Sequence, residues 1–134
     1  MTGLTILMSW PLMQTASAQS SVTAVQSDRL IDHYRAYIGP ADLVNSNGVR
    51  LTQPWQVIRQ DRANFYQYKV RDRGDEPDTF FSDVKNRQAL EAMLSNGHMT
   101  AEAANMIMRG DVWVDVAIYG RGDTGTWIDV KVSD

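Results

Sequence analysis

The chain has no cysteine, which removes disulfides, thiol nucleophiles, thiolate-bound zinc and iron–sulfur clusters together. It has only two histidines, His33 and His98, too few for a histidine-rich metal site. Lysine is scarce, three against ten arginines, and the arginines are scattered. With a net charge of −3 there is no basic stripe, and nucleic acid is not an expected partner. No apolar run approaches the roughly 20 residues of a membrane span, so stable membrane insertion is not expected either. At 43% hydrophobic and 22% charged residues, the remaining composition is that of a folded domain that relies on apolar burial.

Charge is also missing from the N-terminal stretch, where Asp28 is the first charged residue. An apolar segment from Leu4 to Met13 is followed by Ala16-Ser17-Ala18, the layout of a secretory signal peptide over 1–18. The basic residues that usually precede such a segment are absent, and an upstream start codon would restore them. Residues 19–27 read as a flexible leader and 28–134 as a single domain, placed in the periplasm or outside the cell.

Within that domain, Ser27 can cap a helix over 28–38, with Leu30, Ile31, Tyr34 and Ile38 on one face and Gly39-Pro40 as the stop. The run Asn45-Ser46-Asn47-Gly48 is a turn signal. Pro54 opens a short helix through Trp55, Ile58 and Arg62. Tyr66, Tyr68 and Val70 alternate with polar residues, which predicts a strand over 64–71. Helices are expected over 83–96 and, capped by Thr100, over 101–109. Segments 112–119 and 127–132 alternate strictly and form a hairpin. The register Val116–Val130 sets Asp115 opposite Lys131 and Tyr119 opposite Trp127, both favourable pairs. The expected fold is α+β: an antiparallel sheet including the C-terminal β-hairpin, with three to four helices mainly on one face.

Arg-Gly-Asp occurs three times, at residues 73–75, 109–111 and 121–123. Each copy falls at a helix end or in a loop, where glycine and aspartate are natural turn residues, so the tripeptide reads as turn chemistry rather than an adhesion signal.

Arg59 and Arg62 are one helical turn apart and could converge on a carboxylate or phosphate, with Trp55 as a stacking face beside Arg59. Trp55, Arg59 and Arg62 are therefore the assigned binding residues; structural ion pairing of Arg59, Asp61 and Arg62 is the competing reading. The outer face of the hairpin, with Trp113, Tyr119 and Trp127, is a second candidate surface unless a helix covers it. Asp72, Asp75, Glu76 and Asp78 offer oxygen ligands for calcium, without EF-hand spacing. No nucleophile elbow, zinc-protease or phosphate-loop motif occurs, and no catalytic residue, metal ligand or cofactor is assigned. The expectation is an exported, non-enzymatic binding module whose partner is a protein or a cell-envelope component. The rival is a small metal-independent hydrolase of envelope material, with a carboxylate acid/base pair.

Overall fold

The computed structural model describes Pro11 and residues 27–134. The expected signal peptide over 1–18, apart from Pro11, and nearly all of the expected leader over 19–27 lie outside the described residues. The fold is α+β, with four α-helices among the described residues and a three-stranded antiparallel sheet in the order β1-β2-β3. None of the described helices is long and apolar enough to cross a membrane.

The hairpin consists of β2 (Val112–Arg121) and β3 (Thr124–Ser133), in the register expected from charge and aromatic pairing. Val116 faces Val130, Asp115 faces Lys131, and Tyr119 faces Trp127. Alternation places Val112, Val114, Val116 and Ile118 in the core, with Ile128 and Val130 beside them.

The third strand is not the one expected. Residues 28–38 form β1 (Arg29–Ile38), paired along its length with β2, not a helix. Leu30, Ile31, Tyr34 and Ile38 fit a helical stripe, but Tyr34, Ala36 and Ile38 fit period two equally well. The open edge of β2 decides between them. Tyr34, Ala36 and Ile38 are fully buried, whereas Leu30 is left 57% exposed.

The expected strand over 64–71 is likewise absent. α1 (Pro54–Ala63) runs on into a π-helical turn, Asn64–Tyr68, which ends at Lys69 in the left-handed region at φ 59°. Only one of the three alternating residues is held: Tyr66 bonds Asp78, while Tyr68 and Val70 are 48% and 50% exposed. A strand here could not join β1, whose outward amides are already taken by side-chain carboxylates.

The helix expected over 83–96 is two short helices, α2 (Val84–Gln88) and α3 (Leu90–Ser95), broken at Ala89. Asp83 caps α2 through Lys85 N, and Thr100 caps α4 (Ala101–Arg109) through Ala103 N, as its position implies. The helices lie on one side of the sheet, where Val57, Ile58, Leu90, Met93 and Ile107 complete the core. Gly97 lets the chain touch β3, where His98 N donates to Ile128 O and Val130 N to His98 O. In each Arg-Gly-Asp the glycine, Gly74, Gly110 or Gly122, has positive φ, as turns and helix caps require.

Candidate functional site

α1 buries Val57, Ile58, Asp61 and Arg62, a stripe at the i, i+1, i+4, i+5 spacing of one helical face. Trp55 and Arg59 lie beside this stripe and remain partly exposed, with the Arg59 guanidinium 4.8 Å over the Trp55 ring. The stacking expected of this pair is present. Arg62 does not join them at the surface: it is wholly buried, so the two arginines present no shared anion site.

Arg62 is instead the centre of a buried polar cluster. Its Nε donates to Asp61 at 2.8 Å, and its Nη1 donates to Asp78 at 3.0 Å and to Glu76 O at 2.9 Å. The guanidinium carbon lies over Tyr34, 3.9 Å from the ring centre, with Phe65 at 4.7 Å. Burial pushes the Asp61 carboxyl up to about 8 against the pull of Arg62. Nearby Asp42 is pushed up to about 6, again by burial, although it accepts bonds from Gly39 N and Asn64. The spacing 57, 58, 61, 62 carries the signal that Arg62 points inward.

The acidic loop has a structural role. On β1, the amides of His33, Arg35 and Tyr37 point away from β2, and each meets a carboxylate. His33 N donates to Asp32 Oδ1 at 2.8 Å, Arg35 N to Glu76 Oε1 at 2.9 Å, and Tyr37 N to Asp75 Oδ1 at 2.8 Å. Asp75 also accepts from Asp72 N at 2.7 Å, and Asp78 from Tyr66 and Arg62. Burial raises the Asp72 and Asp75 carboxyls above the ordinary value. Among the described residues, no three acidic or histidine side chains are grouped to hold a metal ion.

On the other face of the sheet no described helix covers Trp113, Tyr119 and Trp127; the outward positions of β2 are half-buried, and Gly74 of the acidic loop lies close to the Trp113 ring. At one end Tyr37 packs edge-on against Trp113 at 5.3 Å, and Arg35 lies 4.7 Å over the same ring. At the other, Tyr119 and Trp127 stack at 4.0 Å and 6°, with His98 edge-on to Trp127. Between them runs a charged band in which Asp115 lies 3.8 Å from His33 and 3.9 Å from Arg35. Trp113 and Tyr119 are six residues apart on one strand, which separates the aromatic ends by about 20 Å.

No protein family, curated protein or solved structure matches the chain.

Proposed function

We propose that this protein is an exported, non-enzymatic binding module that meets a protein or another cell-envelope component through the open face of its sheet. The observation that carries this reading is the outer face of the sheet, which no described helix covers, with aromatic groups at both ends and a charged band between them. Partly exposed aromatic rings supply contact area at low entropic cost, and the band supplies orientation. The apolar stretch Leu4 to Met13 and the small residues after it support export. Binding is favoured over carboxylate hydrolysis because Asp32, Asp42, Asp61, Asp75, Glu76 and Asp78 already accept hydrogen bonds that hold the fold. A hydrolytic pair needs two carboxyl groups facing a substrate; in the cavity lined by Asp32, Asp83 and Asp123, Asp32 accepts from Thr79 N and Asp83 from Lys85 N.

The test is capture from an envelope extract by the immobilised full chain. Trp127→Ala/Lys131→Glu alters the open face, and Trp55→Ala/Arg59→Ala alters the stacked pair on α1. Both variants should melt within a few degrees of the parent. A component retained by the parent and by the α1 variant, but lost by the face variant, is the expected result. Loss by the α1 variant alone moves the surface to Trp55 and Arg59, and release of products from envelope polymers overturns the non-enzymatic reading.

A further inference from the structure

A separate groove lies where the π-helical turn after α1 meets the turn at residues 45–48. Its cavity is about 250 Å³ and is lined by Val44, Asn45, Gln60, Asn64, Tyr68 and Val70. That is smaller than the roughly 300 Å³ at which drug-sized pockets begin, and it suits a single sugar ring. Two features of the backbone converge on it: a π turn, a form often found at functional sites, and Lys69 held at φ 59°. Tyr68 and Val70 stand half-exposed on either side of Lys69.

The amide side chains in this groove have fixed orientations. The carbonyl of Ala41 can only accept, and Asn64 Nδ2 donates to it at 3.1 Å and to Asp42 Oδ1 at 2.8 Å. Asn64 Oδ1 is therefore the acceptor for Gln60 Nε2, at 2.8 Å. This leaves Gln60 Oε1 with no hydrogen bond among the described residues. Asn45 Oδ1 accepts from Asn47 N at 2.9 Å and Val49 N at 3.0 Å, which leaves Asn45 Nδ2 as a donor without a partner among the described residues. The groove thus offers one oriented acceptor, one oriented donor, the apolar side chains of Val44 and Val70, and the ring of Tyr68.

We propose that the groove where Asn45, Gln60 and Tyr68 meet binds the acetamido group of an N-acetylated sugar. A secondary amide supplies the complementary pair: its N–H donates to Gln60 Oε1 and its carbonyl accepts from Asn45 Nδ2. The acetyl methyl group packs on Val44 and Val70, and the pyranose ring lies against Tyr68. The side chains lining the groove carry no charge, which favours a neutral acetylated sugar over a free amino sugar. The site is distinct from the open sheet face, and its test does not depend on the partner of that face.

The probe is N-acetylglucosamine, titrated into the isotope-labelled full chain and followed by NMR. A single ring held by two hydrogen bonds and one stacking contact should bind with a Kd of about 1 mM. The shifts should centre on the side-chain amides of Asn45 and Gln60 and on the Tyr68 ring. Glucose, which lacks the amide, and N-methylacetamide, which lacks the ring, should each bind about tenfold more weakly. Asn45→Asp keeps the acceptor that holds the turn but removes the donor, and it should weaken binding about tenfold with the fold intact. Tyr68→Ala should do the same, at a position already open to solvent. Shifts centred elsewhere, binding of glucose or N-methylacetamide as tight as that of N-acetylglucosamine, full binding by Asn45→Asp, or no shift at about 10 mM sugar would each overturn the proposal.

Discussion

The backbone amide of Tyr37 donates to the Asp75 carboxylate at 2.8 Å, across 38 residues of sequence. The bond closes one of the outward-facing amides of β1, as Asp32 and Glu76 close those of His33 and Arg35. An open strand edge is a template for pairing with other chains, and here side-chain carboxylates occupy the donors.

Removing Asp75 should therefore cost more than a surface charge usually does. Asp75→Ala leaves Tyr37 N and Asp72 N without acceptors, and the expected loss is about 1–3 kcal/mol. Asp75→Asn retains one carbonyl acceptor and should lose about half as much. Urea denaturation of the three proteins measures this, and equal stability of Asp75→Ala and the parent would refute the edge-closing role.

Stability should fall as pH rises through the neutral range. Asp42 and Asp61 have folded values of about 6 and about 8, against an ordinary 3.8. In that window the folded protein holds protons that the unfolded chain has released, so alkali favours unfolding. Each proton so held weakens the fold by about 1.4 kcal/mol for every pH unit climbed, until its carboxyl ionises in the folded protein too. The melting temperature should drop steadily from about pH 5 to about pH 8.5. Asp61→Asn should flatten the upper part of the curve. A melting temperature that rises across the range would contradict the assignment.

Arg62→Met should be among the most destabilising single changes, at about 3–5 kcal/mol, because the buried Asp78 carboxylate loses its cation. Arg62→Lys should recover little, since a single ammonium cannot bond Asp61, Asp78 and Glu76 O together while sitting over the Tyr34 ring. A lysine variant as stable as the parent would show that charge alone matters there.

Gly97 has no room for a side chain. A Cβ placed there would lie 1.8 Å from Ile128 O, so Gly97→Ala must push the chain off β3 and break the His98 bonds. A loss of about 1–3 kcal/mol is expected, with faster amide exchange at Val130. Unchanged exchange at Val130 would mean that the contact survives.

The hairpin is legible in the sequence because its alternation is strict and only one register pairs Asp115 with Lys131 while keeping every valine inside. α1 and α4 are legible because Pro54 and Thr100 mark where they start. β1 is not, because Leu30, Ile31, Tyr34 and Ile38 satisfy the helical period while Tyr34, Ala36 and Ile38 satisfy the strand period. The choice is made by β2, more than 70 residues away in the sequence. The Trp55–Arg59 stack is local and can be read from a four-residue spacing. The burial of Arg62 depends on Asp78 and Tyr34, partners that no local pattern reveals.

Arg62 also acts in time, not only in energy. Its contacts come from β1 through Tyr34, from its own helix through Asp61, and from the loop through Glu76 and Asp78. In a half-assembled chain the guanidinium keeps its water and gains nothing, so the cluster closes only when all three pieces have arrived. It should therefore act as a latch, slowing escape from the native state without hastening arrival. In a chevron plot, Arg62→Met should raise the unfolding limb and leave the refolding limb where it was; a slowed refolding limb would instead place the cluster in the folding nucleus.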